Sequence, residues 1–327
     1  MSQDSNVILS AKGLKQWIPI PKMIYEKQQY IKAVDDVSFD LYRGETLGIA
    51  GESGCGKSTL LKSCIRLMEP TDGEVIFDGI DITHMREGKL RPYRKFIQVV
   101  FQDPYSSLDN KWNIGNLIME PMKINRIYSS KKERREKAQE LMESVGLRKE
   151  YINRYPHEFS GGQRQRIAIA CALATNPKIL MCDEAVSALD VSVRAQVLNL
   201  LSDLKRDFDL TYMFVSHDMS VIEHICDRVA IMYLGKIMEI GNKRDIFDNP
   251  QHPYTQALLS AVPSANEDVS PDKRIILEGD IPSPVNHPSG CVFRTRCRYA
   301  NERCKCEMPE LHEVNGRMVA CHMEYTK

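Results

Sequence analysis

The chain has 327 residues, of which 43% are apolar and 27% charged, enough to bury one large core and attach a small second module. Forty-four basic residues balance forty-four acidic ones, so global charge draws it neither to nucleic acid nor to an anionic membrane, and any phosphate it binds must be held locally. The N-terminal stretch lacks a basic start before an apolar run, and no uncharged stretch reaches spanning length, so neither a signal peptide nor a transmembrane helix is expected.

Residues 37–50 predict a strand, a turn at Gly44 and a second strand, leading into a glycine-rich loop and an apolar helix from Ser58. Strand–loop–helix opens an α/β domain. The loop, Gly51-Glu52-Ser53-Gly54-Cys55-Gly56-Lys57-Ser58, fits G-x-x-x-x-G-K-[ST]. Its glycines let backbone N–H groups of Ser53, Gly54, Cys55, Gly56 and the following Thr59 turn curl around phosphates. Lys57 reaches the outer phosphates, and the Ser58 hydroxyl suits Mg2+. A nucleotide with Mg2+ is the expected ligand, and on the loop alone kinases, GTPases and motors all stay open.

Further β structure is predicted at 73–82 and 96–101, after which the pattern turns helical. In Lys131–Leu147 the apolar residues Ala138, Leu141, Met142 and Val145 form one stripe, closed by Gly146. Ser160-Gly161-Gly162-Gln163 opens a helix to Ala174, a second anion-binding helix N-terminus on the same chain. One ATP cannot use both ends within one protomer, so this end is read as meeting a partner's nucleotide. The apolar strand from Lys178 ends in Asp183-Glu184, where Asp183 suits the Mg2+ shell and Glu184 can polarise a water in line with the γ-phosphate. A helix at 193–208, a strand at 211–216 and a hairpin at 228–240 centred on Gly235 follow. Beyond Asn249-Pro250 come a short helix at 254–262, a polar linker at 263–272 and a Pro-rich approach to clustered cysteines.

In this order the motifs resemble the ATP-binding cassette family over about residues 7–250. The phosphate loop, the Ser-Gly-Gly-Gln signature, Asp183-Glu184, Ser187-Ala188-Leu189-Asp190 and Ser216-His217-Asp218 carry the resemblance, with Gln102 matching the family's Q-loop glutamine. Phe159 stands where leucine is commoner. The fold implied is α/β, a P-loop NTPase with an antiparallel β subdomain, a helical subdomain at about 104–170 and a small cysteine-containing extension. The resemblance implies ATP hydrolysis with Glu184, His217 and Gln102 as catalytic groups, and Mg2+ on Ser58, Gln102 and Asp183. It also implies a head-to-tail dimer in which Ser160, Gly161, Gly162, Gln163 and Asp190 face the partner's ATP. Trp17 is the best-placed aromatic for adenine, with Tyr25 and Tyr30 as rivals.

The segment Gln251-His252-Pro253-Tyr254-Thr255-Gln256-Ala257-Leu258-Leu259, with the cysteine-bearing tail that follows it, resembles the oligopeptide and dipeptide permease branch. Within the branch the chain resembles the F-type of two paralogous ATPases. Domains are therefore expected at 1–250 and 251–327. The partners implied are a D-type ATPase, two transmembrane permeases and, indirectly, an extracytoplasmic peptide-binding protein, with no nucleic acid; the place implied is peripheral, on the cytoplasmic face of the membrane. A soluble cassette ATPase acting on ribosomes or DNA is the rival, and nickel or another solute is the alternative cargo. Cys291, Cys297, Cys304 and Cys321, spaced C-x5-C-x6-C-x16-C with Cys306 as an extra, admit three readings: a [4Fe-4S] cluster, as the resemblance implies; Zn2+, with His322 as an alternative ligand; or metal-free thiols.

Overall fold

In the computed structural model, residues 6–22, 25, 27–261 and 275–323 are described. The expected linker at 263–272 and the end of the helix expected to reach Val262 lie outside them. In chain order the elements are β1 (Val7–Pro19), β2 (Tyr30–Tyr42), β3 (Thr46–Ala50), α1 (Lys57–Cys64), β4 (Asp72–Phe77), β5 (Ile80–Asp81), α2 (Glu87–Arg94) and β6 (Ile97–Val100). Then follow α3 (Pro104–Ser107), α4 (Ile114–Ile124), α5 (Lys131–Ser144), α6 (Gly161–Leu173), β7 (Ile179–Asp183), α7 (Val191–Asp207) and β8 (Thr211–Ser216). The chain ends with α8 (Met219–Ile225), β9 (Arg228–Tyr233), β10 (Lys236–Asn242), α9 (Lys243–Asp248), α10 (Pro253–Ser260), α11 (Glu302–Cys306), β11 (His312–Val314) and β12 (Arg317–Val319). Two units emerge: one from Met1–Tyr42, Thr46–His84 and Ser216–Lys327, the other from Arg43–Glu45 and Met85–Val215.

In the first unit an antiparallel sheet runs β2-β1-β4-β5. Strands of a second sheet run β11-β12-β10-β9-β3, parallel only between β3 and β9, where Leu47 pairs with Arg228 and Ala50 with Ile231. Every residue of β3 is buried, so it reads as a continuous apolar run rather than an alternating one. Gly48 is required there, since a Cβ would lie 2.6 Å from Cys226 Sγ. The hairpin expected at 228–240 is β9–β10; Leu234 and Gly235 both take positive φ, 43° and 76°, the twist that a two-residue hairpin loop demands. Residues on both sides of 250 share this unit, because β12 pairs with β10 through Glu239 and Ile240.

In the second unit β8, β7 and β6 are parallel, with Ile179 paired to both Thr211 and Ile97. All of β7 and β8 is buried, which fits their Val/Ile/Met/Phe-rich sequences. Helix α5 starts at a capping box in which Ser130 and Glu133 satisfy each other's backbone N–H. Its stripe of Ala138, Leu141, Met142 and Val145 is fully buried, the Leu, Met and Val side chains each contributing about 1.5–3 kcal/mol. Gly146 ends it at φ 73°.

Candidate nucleotide site

The phosphate loop connects the buried end of β3 to α1, and its shape is enforced by contacts that leave no room for side chains. A Cβ on Gly56 (φ 107°) would sit 1.9 Å from the Ala33 carbonyl oxygen, and one on Gly51 (φ 150°) 2.2 Å from that of Met232. Cys55 accepts a bond from Gly235 N–H at 2.9 Å, tying the loop to the β9–β10 turn. Lys57 is 4% exposed, and its ammonium lies inside the loop, donating to the Gly51 carbonyl at 2.8 Å and that of Glu52 at 2.9 Å. Ser53 and Gly54 are exposed on the rim, while Ser58 and Thr59 occupy the first turn of α1 and are half-buried. A buried ammonium beside a glycine-rich loop that opens a helix is suited to hold a polyphosphate.

Trp17 is half-buried on β1; its Nε1 donates to Asp35 Oδ1 at 3.1 Å, and Lys32 lies over its ring at 4.9 Å. Burial opposes the charge of Asp35, but Lys236 at 3.2 Å and the Lys236 and Trp17 hydrogen bonds hold its carboxyl below the ordinary range. The Trp17 ring is thereby fixed in tilt, with Tyr30 at 6.3 Å. Tyr25 is 98% exposed. His217 is exposed at the end of β8, before Asp218, which caps α8 by accepting from Ser220 N–H.

In the second unit β7 delivers Asp183, buried, and Glu184, half-buried. Glu184 takes φ 50°, rare for a non-glycine residue, and is locked there by its N–H to the Val215 carbonyl at 3.0 Å and by Ser187 bonding its carbonyl. Strain held at the residue expected to activate water is an observation in favour of that role. Gln102 is exposed just after β6, followed by Asp103, which caps α3. Ser160 caps α6 in a capping box with Gln163, as its position before two glycines predicts. Gly161 has Tyr105 beside it, Gly162 is pressed against Val193 of α7, and the exposed Asp190 precedes α7. Phe159 is buried edge-on to Tyr151, so the departure at that position is absorbed by packing.

The cysteine module depends on its own backbone and on the phosphate loop. Cys291 N–H bonds the Cys304 carbonyl at 2.9 Å, and Arg296 pairs with Glu52 through two bonds of 2.8 and 3.2 Å. Burial pushes the Cys291 thiol up to about 11, with the neighbouring thiols of Cys304, Cys321 and Cys297 adding to the rise. Cys297 is likewise raised by burial and by Cys321 and Cys304. All ten cysteines are free. Yet among the described residues no three Cys, His, Asp or Glu side chains are gathered closely enough to hold a metal ion. The expected [4Fe-4S] cluster, and the Zn2+ alternative, are therefore not supported: the donor chemistry is right, the spacing is not. The contacts of Glu52 with Arg296 and Tyr254, and of Asp35 with Trp17, had no signal in local sequence; Glu52 and Arg296 are 244 positions apart.

A phosphate loop between a buried strand and a helix, a carboxylate-tipped strand and a second glycine-opened helix define a P-loop ATPase of the cassette class. An ABC transporter family model matches residues 34–187, and a model of the oligopeptide/dipeptide transporter C-terminal region matches 238–304. The oligopeptide transport ATP-binding protein AppF of Bacillus subtilis is 51% identical over 324 residues, covering 98% of both chains. The dipeptide transport ATP-binding protein DppF of Haemophilus influenzae is 50% identical over 320 residues, covering 98% of this chain and 97% of that one. Among solved structures, the cassette MJ0796 in a dimeric post-hydrolysis state with ADP and Pi matches 72% of this chain and 99% of that one, at 31% identity and TM-score 0.64. The chain belongs to the ABC transporter family of ATP-hydrolysing subunits, in the branch that carries the oligopeptide/dipeptide transporter C-terminal region. ATP and Mg2+ follow from that membership. No helix among the described residues is long and apolar enough to cross a membrane.

Proposed function

We propose that this chain hydrolyses ATP to drive peptide import through a membrane permease pair, working beside a paralogous D-type ATPase on the cytoplasmic face of the membrane. The observation that carries the reading is the joint presence of the enforced phosphate loop around Lys57 and full-length similarity to oligopeptide and dipeptide transport ATP-binding proteins. An extracytoplasmic binding protein would supply the peptide. The boundary near 250 marks the start of the branch-specific extension.

Ser53, Gly54, Cys55, Gly56 and Lys57 hold the phosphates, with Gly51 setting the loop's entry and Thr59 the first turn behind it. Trp17, its indole oriented by Asp35, stacks on adenine. Ser58, Gln102 and Asp183 are oxygen donors suited to Mg2+, which when bound neutralises charge between the outer phosphates. Glu184 accepts a proton from the attacking water, and His217 contacts the γ-phosphate. Ser160, Gly161, Gly162, Gln163 and Asp190 meet the nucleotide of the partner cassette, with the α6 N-terminus favouring its negative charge. A cavity of about 670 Å³ beside α4, lined by Trp112, Asn116, Glu120, Lys123 and Tyr155, supports docking of the permease on the helical segment at 104–170.

In membranes reconstituted with its permeases and partner ATPase, Glu184→Gln should keep ATP binding and lose peptide-stimulated turnover. Near-normal turnover would refute the role of Glu184, and stimulation by nickel chelates alone would replace peptide as the cargo. Four cysteines in one short region, Cys291, Cys297, Cys304 and Cys321, motivate a direct assay for a cluster. Iron and acid-labile sulfide on anaerobically purified protein decide it: about four irons per chain, lost in Cys297→Ser, establishes the cluster, and metal-free protein leaves a thiol module held by packing.

A further inference from the structure

Glu52 stands inside the phosphate loop, yet the C-terminal region holds it from two sides. Its backbone N–H donates to the Tyr254 hydroxyl at 3.0 Å, and its carboxylate receives both prongs of the Arg296 guanidinium. The Arg296 side chain is 8% exposed and that of Glu52 24%, so this pair is shielded from solvent far more than an ordinary surface bridge. Arg296 also lies over the Tyr233 ring at 5.9 Å. Tyr233 packs against Tyr254 at 4.8 Å and edge-on against Phe293 at 5.3 Å. Phe293 and Arg296 belong to one turn, since Arg296 N–H bonds the Phe293 carbonyl at 3.0 Å. A segment of seven residues, Cys291 to Cys297, thus sets an aromatic anchor and a guanidinium fork against the loop.

A carboxylate carried by the phosphate-binding loop itself opposes a polyanionic ligand held by that loop, because like charges repel, and more strongly where water is sparse. A bidentate arginine removes that opposition and fixes the plane of the carboxylate, which a point charge would not do. The Glu52 carbonyl is in turn a partner of the Lys57 ammonium at 2.9 Å, so its position bears directly on the phosphate-binding lysine.

We propose that Arg296 is a positioning residue for nucleotide binding: by pairing with Glu52 it neutralises and orients the phosphate loop, so that the C-terminal extension sets the affinity for MgATP. The inference rests on the nucleotide being held by that loop. Its effect should fall on affinity rather than on the chemical step, since Arg296 acts through Glu52 and not on the reacting atoms.

The test is titration of the full-length chain with a fluorescent ATP analogue in the presence of Mg2+, on wild type, Arg296→Gln, Arg296→Lys, the double variant Glu52→Gln with Arg296→Gln, and Lys57→Ala. Arg296→Gln should weaken binding about tenfold, and the loss should shrink as salt is raised. Arg296→Lys should fall between, and the double variant should recover to within about threefold of wild type, because no unpaired carboxylate remains. Binding by Arg296→Gln equal to wild type, or a double variant as weak as the single one, would overturn the proposal. Should Arg296→Gln fail to fold, Arg296→Lys and the double variant still decide it. If wild type does not bind, or Lys57→Ala binds as wild type does, the loop reading itself fails, and that outcome is distinct from the first.

Discussion

The Arg317 guanidinium lies 3.6 Å from the carboxylate of Glu239, whose side chain is completely buried. Glu239 also accepts the N–H groups of Gln251 and His252, each at 3.0 Å, so a charged acceptor on β10 organises the entry to α10. Arg317 reaches further, donating to the carbonyls of Asp245 and Asn249. The last strand of the extension therefore supplies the counter-charge for a carboxylate in the cassette sheet. Arg317→Met should cost about 3 kcal/mol or more, because it leaves that carboxylate buried and uncompensated. Denaturant unfolding of the full chain measures it, and adding Glu239→Gln should recover part of the loss.

Acid should loosen the same region through His252. Burial lowers its imidazole to about 3 from an ordinary 6.5, and its Nδ1 accepts the Tyr254 N–H at 3.0 Å, which requires the neutral ring. The unfolded chain takes up the proton first as pH falls, so the stabilisation is complete above pH 6.5 and drains away between there and about 3. At pH 5 the loss should be about 2 kcal/mol relative to pH 7.5. His252→Asn keeps a capping acceptor and should flatten that part of the stability-against-pH curve.

Gly56→Ala should abolish tight nucleotide binding. The added methyl would overlap the Ala33 carbonyl, so either the loop or strand β2 must shift, and the backbone φ of 107° would be strained as well. A loss greater than tenfold in ATP-analogue affinity is expected, about 1.4 kcal/mol or more. Affinity within a factor of two of wild type would mean that the loop geometry tolerates a side chain.

Gly162→Ala should act elsewhere. Its Cβ would lie 2.3 Å from Val193 Cγ1, pushing the start of α6 away from α7. Because that helix end is read as facing the partner's nucleotide, turnover should fall while ATP-analogue binding to the isolated chain holds. Val193→Ala removes the clashing methyl and should restore turnover in the double variant; no restoration would place the defect outside this contact.

Much of the cassette was legible because its signals are local. The Gly51–Ser58 spacing, the apolar run of β7 ending at Asp183, and Ser160 before a glycine pair each encode a shape and a chemistry in a few adjacent residues. The turn at Gly235 and the stripe on α5 were readable for the same reason. The terminal hairpin β11–β12 was missed although Asn315-Gly316, both at positive φ, is a strong two-residue turn signal. Its strands are only three residues each, too short for periodicity to register. The pairing of Glu52 with Arg296 and of Glu239 with Arg317 could not be read at all, since long-range charge partners leave no periodic trace. The cysteines are a different case: four of them in one segment count candidate ligands, but their spacing along the chain does not by itself specify a metal geometry.

The antiparallel addition of β12 to β10 has a bearing on solubility. A bare β10 would present unpaired N–H and carbonyl groups along an almost wholly buried strand, a template for another chain's edge. The hairpin covers it and ends the strand order on β11, whose His312 and Glu313 are exposed and whose three residues offer little length for recruitment. The tail thus acts as a hem on this side of the sheet, closing with a short polar hairpin an edge that β10 would otherwise leave unpaired.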